Sequence, residues 1–67
     1  MKSVSGKALC KVLERCGWNL KRITGSHHIY SKEGAVLAIP VHGNRDLPTG
    51  TLKSIMKDAG LTEKDLD

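Results

Sequence analysis

The sequence has no phenylalanine, one tryptophan and one tyrosine. So few rings argue against a surface that stacks a series of unpaired bases on aromatic side chains. Cysteine is almost as scarce. Cys10 and Cys16 lie six apart, which is not a CxxC spacing, and there is no further cysteine to complete a zinc site. On a helix, positions six apart are about two-thirds of a turn out of phase, so the two are expected as free thiols of a reducing compartment. There is no apolar run of membrane length and no signal-peptide pattern. A soluble, cytoplasmic protein without membrane association is therefore expected.

Acidic residues are scarce over most of the chain. Residues 1–57 carry 10 basic and 3 acidic side chains, whereas residues 58–67 carry Lys64 against Asp58, Glu63, Asp65 and Asp67. A basic body with an acidic end suggests a polyanionic partner for the body, although ordinary solubility charge produces the same balance. The 67 residues make one domain, 1–67. A chain so short buries only about 60% of its unfolded surface, which favours a surface site over a deep pocket.

The remaining residues are strongly patterned. Leu9, Val12, Leu13 and Cys16 form an i, i+3, i+4, i+7 stripe, with Cys10 off its centre; Ser5 is a suitable N-cap and Gly17 a suitable end. Three strands are expected at 18–24, 26–32 and 35–41, joined by Gly25 and by the "KEG" turn at 32–34. Connections this short imply an antiparallel meander, and Pro40 marks an edge or a strand end. "HGNRDLPTG" at 42–50 reads as a loop. Leu52, Ile55, Met56 and Ala59 then repeat the helical stripe, capped by Thr49 and ended by Gly60, and Thr62 with Asp65 predicts a last helical turn. The expected fold is α+β, in the order α-β-β-β-α, with two helices packed on one face of a three-stranded antiparallel sheet and the other face open.

Two of the three histidines, His27 and His28, are adjacent in "TGSHHIYS". An imidazole titrates near neutrality, so it can take the proton of a ribose 2′-hydroxyl or give one to a leaving 5′-oxygen. Neighbours on a strand point to opposite faces, so the two are poor joint metal ligands, and one of them is expected to be functional at most. Gly25 lets backbone approach a phosphate, and Ser26 can donate to it, though an ordinary turn uses the same residues. His42, with Asn44 and Arg45, follows the third strand; Arg45 suits bidentate phosphate binding unless Asp46 neutralises it. Lys21, Arg22, Lys32, Lys53 and Lys57 are candidates to track a nucleic-acid backbone through phosphate and 2′-hydroxyl contacts, or are simply solvated faces. On these residues alone, a ribonuclease, a non-catalytic RNA-binding module and a protein-interaction domain all stand.

The order of elements resembles that of double-stranded-RNA-binding domains. "SGKALCKVLERCGW", "RITGSHHIY" and "AVLAIPVHGNRDLPTGTLKSIMKDAGL" resemble the HicA toxins of bacterial toxin–antitoxin systems over almost the whole chain. The diagnostic parts are G-S-H, then P-x-H at Pro40–His42, then the "GTLKSIMKDAGL" helix. The resemblance implies an mRNA interferase that needs no cofactor or metal, with mRNA as substrate and a HicB-like antitoxin as partner; the free chain is expected as a monomer. It places the catalytic residue at His27. Relatives with G-S-x-H would place it at His28, the second choice. His42 matches the P-x-H position without an assigned role. Gly25, Ser26, Lys21, Arg22, His42, Arg45 and Lys53 are the expected RNA contacts, and nearby cations would stabilise the charge that develops at phosphorus.

Overall fold

In the structure, a computed structural model that describes residues 3–66, helix α1 spans Gly6–Arg15. Ser5 starts it as predicted: its hydroxyl accepts the Ala8 N–H at 3.1 Å. At the other end the Gly17 N–H reaches the Glu14 carbonyl and the Trp18 N–H reaches that of Leu13, the paired bonds of a Schellman ending. Trp18 was expected to open the first strand. It is instead the buried apolar residue that closes this ending. Cys10 is also buried, although its position lies off the stripe centre. It packs against Tyr30, and burial pushes its thiol pKa up.

Three strands follow: β1 at Asn19–Thr24, β2 at His27–Lys32 and β3 at Ala35–Pro40. They form the predicted antiparallel meander in the order β1-β2-β3. Ser26 and Val41, expected as strand ends, fall just outside. Thr24 pairs with His27, so Gly25 and Ser26 are the two turn residues. Gly25 has φ 59° and no non-glycine residue there shares a positive value, which is the primed turn with glycine first. Lys32 pairs with Ala35, and both central residues of that turn, Glu33 at 49° and Gly34 at 86°, have positive φ.

Helix α2 spans Thr49–Ala59. Thr49 does not cap it. The N-cap is Pro48, which makes no side-chain bond; its ring holds the extended entry, and its carbonyl accepts the Leu52 N–H at 2.9 Å. The far end repeats the Schellman pattern, Gly60 to Lys57 and Leu61 to Met56. A 3-10 turn at Glu63–Leu66 completes the described chain. Asp65 holds it by accepting the Thr62 N–H at 2.8 Å.

The helices cover one face of the sheet. Leu9, Leu13, Tyr30, Ile39 and Leu52 are its most deeply buried side chains. Tyr30 occupies the middle of β2 and its hydroxyl donates to Glu14 Oε2 at 2.6 Å, joining the central strand to α1. Lys32 donates to the Cys16 carbonyl at 2.7 Å, where cation and helix end are well matched. That bond occupies one of the lysines expected to track RNA.

Two predictions follow from this packing. Glu33 is the only non-glycine among the described residues at positive φ. Glu33→Asn, the residue preferred at that turn position, should stabilise the fold by about 0.5–1 kcal/mol. An unchanged or lower denaturation midpoint would contradict the turn geometry. The second concerns Tyr30, whose phenol is held well above its ordinary range by burial first and by the bond to Glu14 next. A raised folded-state pKa means the unfolded chain ionises first, so stability is full below about pH 10 and falls as pH rises further. Tyr30 is the sole tyrosine, so tyrosinate absorbance should appear together with the loss of helical circular dichroism. Ionisation at ordinary tyrosine pH with the helices intact would refute the buried contact.

Candidate active site

The pairing register assigns every β2 side chain to a face. Tyr30 lies opposite Leu37, both buried under the helices. Two residues along, His28 lies opposite Ile39 and shares that face, where it is half-buried. His27 pairs with Pro40 and points to the open face, where it is exposed. On its other side His27 pairs with Thr24, and Arg22 pairs with Ile29 on the same open face. The adjacent histidines are therefore split between faces, as the sequence requires.

The strand end that carries His27 is also where the loops converge. The Val41 N–H donates to the Ser26 carbonyl at 2.7 Å, so the hairpin continues one step past β3 and brings His42 toward the Gly25–Ser26 turn. A turn closed by the Arg45 N–H on the His42 carbonyl follows. The loop then returns beside the N-terminal segment: Leu47 N–H donates to the Val4 carbonyl at 2.7 Å, and Ser5 bridges to Asp46. Gly6 completes the junction. A methyl group there would overlap the carbonyl oxygen of Pro40, so only glycine lets α1 sit this close to the end of β3.

Of the expected RNA contacts, Gly25, Ser26, His42 and Arg45 are gathered at this end with His27. Arg22 lies further along the same open face. Lys21 sits in a β-bulge, where the register of β1 shifts between Leu20 and Arg22. Lys53 is exposed on α2, within the helical layer, and does not share the face of His27. Arg45 makes no ion pair with Asp46; among the described residues neither side chain has a hydrogen-bonding or charged partner. Sequence reasoning misses the cavity that Pro40, Pro48 and Thr51 line together with this loop. The two prolines flanking the loop were the available signal. Among the described residues there is no group of three or more His, Cys, Asp or Glu side chains placed to hold a metal, and no helix is long and apolar enough to cross a membrane.

The family described as the HicA toxin of bacterial toxin–antitoxin systems matches residues 6–61. The chain belongs to the HicA toxin family. Its role is that of the toxin in such a system, and the general class of its partner is an antitoxin. No curated protein matches the chain. The HicA match begins at the first residue of α1 and ends at the residue that closes the α2 Schellman bonds, so it covers both helices and the whole sheet. The 3-10 turn lies outside it.

The seat of α1 on Pro40 is directly testable. Gly6→Ala should destabilise this HicA chain by about 1–3 kcal/mol, the range for forcing a methyl into packed backbone. A denaturation midpoint equal to that of the parent would show that α1 does not rest there.

Proposed function

We propose that this HicA toxin is a metal-independent endoribonuclease that cleaves mRNA, with His27 as its catalytic residue, and that a HicB-like antitoxin neutralises it by covering that histidine. The observation that carries the reading is the position of His27. It is exposed on the open sheet face, at the strand end where the Gly25–Ser26 turn and the His42–Arg45 loop meet. His28 is half-buried on the helix side, where a phosphodiester has less access, and so stays the second choice.

In the proposed reaction the His27 imidazole takes the 2′-hydroxyl proton. The 2′-oxygen then attacks phosphorus, and the bond to the 5′-oxygen breaks. That oxygen receives a proton from the solvent that the open site admits. The products are a 2′,3′-cyclic phosphate and a 5′-hydroxyl end, with no redox change and no metal in the balance. Gly25 lets the backbone approach the phosphate, Ser26 donates to it, and Arg45 and Arg22 offset its charge. Lys21 and His42 extend the phosphate path, and Lys53 serves RNA that bends round to the helical layer.

Purified toxin should cleave transcripts in the presence of EDTA. His27→Ala should lower the cleavage rate about 100-fold or more, the usual contribution of a positioned acid or base. His28→Ala should cost much less. The opposite ranking would move the assignment to His28. Salt-sensitive RNA binding with no cleavage by any form would leave a non-catalytic RNA-binding module.

A further inference from the structure

A cavity of about 280 Å³ is lined by Pro40, the cross-strand partner of His27. Cross-strand partners such as these two lie about 5 Å apart at their Cβ atoms, so the cavity starts one residue pair from the proposed catalytic imidazole. Pro40, Leu47 and Pro48 supply apolar walls, and His42, Arg45, Asp46 and Thr51 supply polar groups. Its volume suits a single nucleoside rather than a peptide segment.

Asp46 is the informative residue. The first 57 residues contain only three acidic side chains. Glu14 is engaged by Tyr30, and Glu33 belongs to the distant β2–β3 turn. Of the three, Asp46 alone lines the cavity, and among the described residues its exposed side chain has no hydrogen-bonding or charged partner despite Arg45 beside it. A carboxylate on the path of a polyanion is repulsive unless it meets hydrogen-bond donors. It offers two acceptor oxygens and no donor. Among the four RNA bases, guanine alone presents two adjacent donors, N1–H and the 2-amino group, on its Watson–Crick edge. Adenine and cytosine pair one amino group with a repelling ring nitrogen, and uracil sets one N–H between two carbonyls.

We propose that this cavity is a base-selecting subsite that receives one unstacked guanine of the RNA, adjacent to the cleaved phosphodiester, with Asp46 accepting from N1–H and the 2-amino group. The proline rings pack on the base and Arg45 holds the neighbouring phosphate. The subsite thus adds base-edge reading to a recognition otherwise expected to run through phosphates and 2′-hydroxyls. It rests on the ribonuclease reading above.

The test uses oligoribonucleotides that differ only by guanosine or inosine, which lacks the 2-amino group, at the nucleotides flanking the cleaved bond. The toxin should cleave the guanosine form about tenfold faster in kcat/KM, the worth of one hydrogen bond to a charged group. Asp46→Asn should bring the ratio close to one, and Asp58→Asn, on the exposed side of α2, should leave it intact. Equal cleavage of both oligonucleotides by the parent, or an unchanged ratio in Asp46→Asn, would overturn the subsite while leaving the nuclease standing. A parallel titration with guanosine and inosine 5′-monophosphates, read from the Asp46 and Thr51 amide resonances, separates the two proposals. If no RNA is cut, the nuclease reading falls. Guanosine-selective shifts that vanish in Asp46→Asn would then sustain the subsite, and their absence would overturn it.

Discussion

Tyr30 lies at the centre of β2, its ring buried and its hydroxyl on Glu14 of α1, and this contact decides which way the rest of the strand faces. Side chains on a strand alternate, so a slip of one residue would exchange the two faces. With Tyr30 inward, His28 must turn toward the helices and His27 toward the open face. A slip would bury His27 and expose the phenol, leaving the Glu14 carboxylate without its donor. The chain has a single buried ring of this size on the sheet, so the register is set by one large side chain with one polar anchor, and the site inherits it.

The strand end bearing His27 is assembled differently. Few side-chain hydrogen bonds serve it. Backbone bonds instead fasten the loop after β3 to the Gly25–Ser26 turn on one side and to the segment before α1 on the other. Gly6 allows the helix to close over that junction. Such a design leaves polar side chains uncommitted: among the described residues the side chains of Ser26, Arg45 and Asp46 have no hydrogen-bonding or charged partner. A chain this small has little interior in which to bury a site. The candidate site lies on a rim whose shape is fixed by main chain.

Much of this was legible in the residues. Helical stripes, turn residues and short connections fixed the element order, because each is a local signal of periodicity or backbone conformation. Ser5 and Gly60 could be read as helix ends for the same reason. Trp18 and Thr49 were misassigned because their roles depend on bonds that close helix ends, not on propensity. The Tyr30–Glu14 contact joins residues 16 apart, and the seat of Gly6 joins the first helix to the last strand. No local pattern announces either one. At the site, the G-S-H segment and His42 were visible as motifs. Their convergence becomes readable only through the register of β2 and β3, and Lys53 was grouped with them although the fold sets it in another layer.

The bulge at Lys21 has a bearing on how the chain survives in a crowded cell. β1 is an edge strand, with Leu20 and Ile23 substantially exposed, and such a border invites the strands of other molecules to zip onto it. The extra residue breaks the ladder midway and adds a cationic side chain at the break. A stray strand gains only a short stretch of pairing before its own register fails. The molecule is thereby guarded against templated aggregation along this border of its sheet.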